Sequence, residues 1–302
     1  MKIGFGLPVS GSWATREQMA RVAVRAEELG YHSLWSFQRL LSPKDGSWGE
    51  MYRSVHHPLI ALAYVAGLTS AIRLGTAVVN LPFVNPAILA KEVSSLDVVS
   101  GGRVDLGLGN GWSDEEFAAA GASKKGLGRR ADDFITTLKN VWADEPHAGP
   151  FYHLPPGFAF DPKPVQRPHP PILLGGGSEA ALRRAGRLCD GWISGSQMTQ
   201  QMVGAAVKAV RAAAQQAGRD ASSLRFVVRG PVKVRPAGSP ERVPLTGSID
   251  EIKTDFAMYE AAGVTEVFLD LNFDPEIGSP SADPAASLRR AEDVLEAFAP
   301  AG

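Results

Sequence analysis

The feature that most constrains this chain is a repeated switch between short apolar runs and segments of helical period. Residues 3–7, 33–37, 73–80, 103–108, 172–174, 190–193, 225–234 and 266–271 read as strands, and each is followed by helix-like sequence. Apolar runs without polar alternation suit strands covered on both faces, as in parallel sheets. Strands alternating with helices imply βα units. Eight units predict a closed (β/α)8 TIM barrel with insertion segments rather than an open sheet.

Local signals set the helix starts. Thr15 with Gln18, and Ser248 with Glu251, have capping-box spacing. Asn85 before Pro86 reads as an N-cap and first turn. Residues 145–171 are proline-rich and aperiodic, and alternation resumes after them. They are therefore expected to be an active-site insertion within a single domain spanning 1–302.

Composition narrows the function. Lys+Arg total 31 against 32 Asp+Glu, a net charge of −1. That balance offers no basic excess for nucleic acid or an anionic membrane. Cys189 is the only cysteine, so neither an intrachain disulfide nor a cysteine metal cluster can form. No run of about 18 apolar residues predicts a membrane span, and the opening MKIGFGLPVS already reads as strand rather than leader. A cytoplasmic protein acting on a small molecule is expected.

In such a barrel the chemistry sits at the C-terminal strand ends. Those ends carry Gln38 and Arg39, Ala77 and Val78, Gly109, Asn110, Gly111 and Trp112, then Gly175, Gly176 and Gly177, and finally Gly195, Ser196 and Gln197. Glycines let backbone N–H groups approach a ligand closely. Gly175, Gly176 and Gly177 precede Ser178, a helix N-cap residue type, and leave two readings open: an anion site or an ordinary tight turn. No His-x-His or His-Glu-x-x-His spacing occurs, so no metal is expected. His56 and His57 either frame the helix start at Pro58 or relay a proton. Asp190 falls at the base of strand six and reads as structural. A glycine-rich rim with few acid–base groups suits an enzyme whose chemistry belongs to a bound cofactor.

Four stretches carry a family likeness: RLGTAV at 73–78, NPAILAK at 85–91, SGGRVDLGLGNGW at 100–112, and 171–178 followed by 185–196. In this order they resemble the bacterial luciferase-like superfamily, and more closely its branch that uses the deazaflavin coenzyme F420. The likeness spans about residues 1–275. It implies a flavin-type ring across the C-terminal face and a cis peptide at Ala77-Val78. It also implies ring and side-chain contacts from Gly109, Asn110, Gly111 and Trp112. The phosphate would lie on Gly175, Gly176 and Gly177, with Gly195, Ser196 and Gln197 opposite. Homodimers are usual in the superfamily. One departure matters: sugar-phosphate dehydrogenases of this branch carry Asp-His after strand two and a carboxylate after strand four. Here those places hold Phe37-Gln38-Arg39 and Trp112, so that activity is not expected.

The reaction implied is hydride transfer between F420 and a small organic substrate. Arg39 would polarise a carbonyl, and His56 or His57 would relay a proton. Gln38, Trp48 and Tyr52 would shape the substrate pocket. The alternatives are an FMN-dependent monooxygenase of the same fold and a flavin-binding protein without turnover.

Overall fold

The computed structural model describes residues 1–239 and 242–300. Eight strands form the barrel: β1 (Lys2–Gly6), β2 (Ser33–Ser36), β3 (Arg73–Thr76), β4 (Val104–Gly109), β5 (Ile172–Gly175), β6 (Gly191–Ile193), β7 (Arg225–Pro231) and β8 (Glu266–Asp270). They lie in the order β3-β2-β1-β8-β7-β6-β5-β4, and pairing of β3 with β4 closes the ring. The neighbours are parallel throughout. The outer layer is α1 (Arg16–Glu28), α2 (Pro58–Ala66), α3 (Pro86–Ser100), α4 (Asp114–Ala119), α5 (Leu127–Ala143), α6 (Glu179–Leu188), α7 (Gln200–Gln216), α8 (Ile249–Ala261) and α9 (Pro284–Ala297). The expected (β/α)8 barrel is therefore present, with α4 as an addition on the β4–α5 connection.

Capping follows the sequence signals with one correction. Ser248 and Glu251 make a reciprocal capping box, and the Asn85 side chain accepts from Ala87 N. Thr15 accepts from Gln18 N at 3.2 Å, but the Gln18 side chain donates to Pro284 O at 2.9 Å instead of returning to the cap. Gln18 thus joins α1 to α9, across the two ends of the chain.

The barrel interior is layered. At the bottom, Arg225 reaches Asp105 through Nη1 (2.6 Å) and Nη2 (2.9 Å), and Glu266 through Nη2 (3.1 Å). Arg73 adds a bond from Nε to Asp105 at 2.9 Å. Burial pushes the Asp105 pKa up, but the bonds and charges of Arg73 and Arg225 outweigh it and hold it below the usual carboxylate value. Above lies an apolar layer of Trp35, Leu173, Ile193, Val227 and Phe268. Trp35 stacks on Phe268 with centroids 5.3 Å apart. Gly75 leaves the space Trp35 occupies, because a Cβ there would meet the indole at 2.3 Å. The top layer holds Ala77, Gly109 and Gly175, too small to fill it, and a cavity opens over them.

Two strands are shorter than the apolar pattern suggests. The run 73–80 breaks after Thr76 and resumes as Val79–Asn80. The run 225–234 ends at Pro231, and Lys233–Val234 pairs instead with Thr246–Gly247. The segment 145–171 also departs from expectation, because none of its residues lines the cavity. Its hairpin pairs His147–Ala148 with His153–Leu154. Asp133 of α5 grips that hairpin, accepting from Phe151 N (2.8 Å) and Tyr152 N (3.0 Å). Gln166 then donates to Val104 O at 2.7 Å, at the bottom of β4. The physical reason is directional: β5 starts at the bottom of the barrel, so the connection must run away from the catalytic face to reach it.

Candidate active site

The floor of the cavity is a bulge in β3. Thr76, Ala77 and Val78 face only Leu106 and Gly107 across the ladder, since Gly75 pairs with Asp105 and Val79 with Leu108. The peptide Ala77-Val78 is cis. The hydroxyl of Thr76 fills the interrupted ladder, donating to Gly107 O (2.8 Å) and accepting from Gly107 N (2.9 Å). Gly107 is obligatory, because a Cβ would sit 1.8 Å from Thr76 O. At Gly109 a Cβ would come within 2.5 Å of Val78 Cγ2. Two side chains fasten the ends of the bulge: Arg229 Nη1 donates to Ala77 O at 3.2 Å, and Asn80 N donates to Gln38 Oε1 at 2.8 Å.

Around this floor lies a cavity of about 440 Å3. Gln38, Arg39, Tyr52, Ala77, Val78, Gly109, Asn110, Gly111, Trp112, Gly175, Gly176, Gly177, Gly195 and Ser196 all line it, so most residues singled out in the sequence meet at one place. Gln197 lies next door, in a cavity of about 330 Å3 that shares Ser196 and Arg229 with the first. Trp48 is not among the lining residues, and its ring is 4.8 Å from that of Trp112. His56 and His57 are not among the lining residues. Both are exposed; His56 Nε2 is 2.7 Å from Ala14 O, and His57 is the N-cap residue of α2. Their place is the helix start at Pro58, and a proton relay through them has no support in the geometry.

One end of the cavity lies at the start of α6. Ser178 caps α6, accepting from Ala181 N, and the preceding Gly176 has φ +122°. The first N–H groups of a helix lack partners within it and carry the positive end of its dipole. Gly195 stands opposite without positive φ, and a Cβ there would meet nothing within 4 Å. Neither turn geometry nor packing therefore requires a glycine at 195. Asn110 points a buried Oδ1 that finds no partner among the described residues.

The other end is aromatic and carries the ionisable groups. Arg39 donates from Nη1 to Glu116 Oε2 at 2.9 Å, and Glu116 Oε1 also accepts from Leu40 N at 2.7 Å. The guanidinium lies over Tyr52 (4.4 Å), Trp112 (4.9 Å) and Trp48 (5.7 Å). Burial lowers the Arg39 pKa, while Glu116 works against that shift. Arg229 pairs through Nε with Asp270 Oδ2 at 2.7 Å and lies over Phe37 (4.5 Å) and Phe273 (4.1 Å). Arg229, Glu116 and Asp270 are not among the residues singled out in the sequence. Alternation along β7 puts Arg229 on one face with Arg225 and Val227, but no spacing rule links it to β8. Cys189 adds nothing to the site: it is buried, and burial pushes its thiol up to about 12. Among the described residues no group of acidic, histidine or cysteine side chains is arranged to hold a metal, and no helix is long and apolar enough to cross a membrane.

Residues 4–241 match the profile of the luciferase-like monooxygenase family. The chain belongs to that family. Relatives with assigned names include the oxygenase component of a flavin-dependent trigonelline monooxygenase from Acinetobacter baylyi, 31% identical over 52% of this chain and 42% of that one. An FMNH2-dependent dimethylsulfone monooxygenase from Pseudomonas putida is 32% identical over 53% and 43%. A putative coenzyme F420-dependent oxidoreductase from Mycobacterium tuberculosis is 29% identical over 64% and 55%. The chain thus spans about half the length of the curated relatives it matches. Two solved structures share the fold over nearly all of both chains: a monooxygenase from Streptomyces bottropensis (TM-score 0.79, 22% identity, 99% and 98% covered) and an F420-dependent secondary alcohol dehydrogenase (0.78, 16%, 98% and 98%). The family is one of oxidoreductases, and its named members here use either flavin or F420.

Proposed function

We propose that the protein is an oxidoreductase that binds coenzyme F420 over the β3 bulge and exchanges hydride with a small organic substrate. One observation carries this reading: among the described residues the glycine-lined cavity has two strongly basic side chains and no acid–base pair, and both basic groups are already tied to buried carboxylates. Such a wall binds and orients while a cofactor supplies the electron chemistry. The residues fit that cofactor on two counts. The Gly195 position is open to a ligand, and Asn110 Oδ1 lacks a partner. Gly176, Gly177, Ser178, Gly195 and Ser196 would hold its phosphate, and Ala77, Val78, Gly109 and Asn110 would support its ring. Bound there, the deazaflavin supplies hydride exchange at a ring carbon. The chain's own work is to fix the floor through Thr76, Gln38 and Arg229, exclude water with Tyr52 and Trp112, and bring the reactants together. F420 is preferred because the F420-named relative aligns over 214 residues, against 162 and 166 for the two monooxygenases.

An FMN-dependent monooxygenase is the second reading, favoured by the family profile and by the slightly higher identities of the two monooxygenases. The same reading of the family includes a cytoplasmic homodimer. Ile60 of α2 and Ile88 and Val99 of α3 are exposed and would serve its interface, whereas Leu62 and Val65 are core.

The deciding experiment titrates the purified chain with F420 and with FMN, following cofactor fluorescence. F420 alone is expected to bind tightly. Tight FMN binding alone would transfer the assignment to the second reading, and failure of both in a folded sample would end the cofactor reading. A paired test uses Gly195→Val. Nothing lies within 4 Å of its Cβ, so its unfolding midpoint should match the native chain, while its cofactor affinity should fall at least about tenfold if a ligand occupies that space. Unchanged affinity would clear the Gly195 loop of any part in binding.

A further inference from the structure

We propose that the substrate is an uncharged carbonyl compound with its oxygen on Arg39. The inference rests on the oxidoreductase reading above and names the substrate class of that site.

Arg39 is the starting point. Its side chain is 8% exposed and lines the cavity, yet among the described residues only Nη1 has a hydrogen-bond partner, Glu116. Nε is buried without a partner. Nη2 is therefore the nitrogen left to meet a ligand, and a ligand that displaces water from it must supply an acceptor.

Charge decides which acceptor. Glu116 is 1% exposed and already balances the single charge of Arg39. A substrate carboxylate on the same guanidinium would place two anions on one cation in a desolvated site, a costly arrangement. Arg229 offers no relief, because Asp270, 2% exposed, balances it. A cation is disfavoured for a different reason. It would meet the positive guanidinium of Arg39, which lines the cavity and lies 4.4 and 4.9 Å from the Tyr52 and Trp112 ring centroids. What remains is a neutral oxygen acceptor. Phe37, Tyr52 and Trp112 line the cavity beside it, and they suit an apolar body around that oxygen.

The same chemistry has a second source, since a flavin-type ring also carries carbonyl oxygens. The test separates the two. Calorimetric titration of the purified chain compares three probes of similar size: 1-tetralone (neutral ketone), 1-naphthoate (anion) and N-methylquinolinium (cation). The ketone is expected to bind at least about tenfold more tightly than either ion. Arg39→Met together with Glu116→Gln removes both charges at once, so no buried carboxylate is stranded; folding is checked by circular dichroism. In that variant ketone affinity should fall about tenfold or more while cofactor affinity holds within twofold. Arg39→Lys serves as a second variant that keeps the ion pair, and it should weaken ketone binding in the same direction.

Equal or tighter binding of naphthoate or quinolinium overturns the proposal. So does ketone affinity that is indifferent to Arg39. Loss of cofactor affinity with ketone affinity intact would assign Nη2 to the cofactor instead. If neither cofactor binds the native chain, the oxidoreductase reading fails by its own titration, and the probe series still reports separately on the pocket.

Discussion

Asp105→Asn is expected to lower the unfolding free energy by about 3–5 kcal/mol, the usual cost of breaking a buried ion pair from one side. Asp105 is fully buried at the bottom of the barrel, and it is the carboxylate that Arg73 and Arg225 share. With asparagine there, Arg225 keeps Glu266, while Arg73 keeps only the neutral acceptors Val104 O and Gln166 Oε1. No part of this cluster lines the cavity, so the loss should appear in urea unfolding while cofactor affinity of the folded fraction is kept. Acid gives a second readout. The folded-state pKa of Asp105 is depressed, so its contribution is fully present above the unfolded carboxyl value of about 3.9 and is lost as pH falls through the folded value. The gap in stability between the native chain and Asp105→Asn should therefore be flat from pH 7 to about 5 and close below about pH 4. A gap that widens on acidification, or a variant as stable as the native chain at neutral pH, would mean the cluster does not support the barrel in this way.

The contrast between what the sequence told and what it hid follows from interaction range. Eight strands were legible because each is a local run, and closure follows from their number. The glycines at 109, 175–177 and 195 were legible as strand-end residues, and they line one cavity. Long-range pairing was not legible. Arg39 and Glu116 are 77 residues apart, and Arg229 and Asp270 are 41 apart; no period or spacing joins them. The roles of Thr76 and Gln38 were hidden for the same reason, since each acts on the β3 bulge, which exists only once β4 lies beside it. The segment 145–171 misled because proline-rich composition marks a connection without saying which mouth of the barrel it visits. His56 and His57 illustrate a simpler limit: residue type suggested proton chemistry, and the structure places both beside Pro58, outside the cavity lining.

Arg229→Met should have the second large effect, and it ties the fold directly to the site. Arg229 is 9% exposed and Asp270 is 2% exposed, so removing the guanidinium strands a buried carboxylate and should cost about 3–5 kcal/mol in unfolding free energy. Asp270 retains Asn272, which donates from its backbone N (3.1 Å) and from Nδ2 (2.8 Å), but neither donor carries charge. Adding Asp270→Asn removes the stranded charge, and the double variant should regain most of the lost stability. It should not regain the site. The bond from Arg229 to Ala77 O and the guanidinium packing on Phe37 and Phe273 are absent in both variants. Cofactor affinity in the double variant is therefore expected to stay about tenfold below native, roughly one hydrogen bond's worth. Urea unfolding and cofactor titration on the same three proteins separate the two effects. A double variant no more stable than the single one would show that Asp270 is not the source of the loss. Native cofactor affinity in the double variant would show that the floor keeps its shape without Arg229. Recovery of stability without recovery of binding is the outcome this geometry predicts, because the ion pair secures β7 to β8 whereas the bond to Ala77 O shapes the surface a ligand meets.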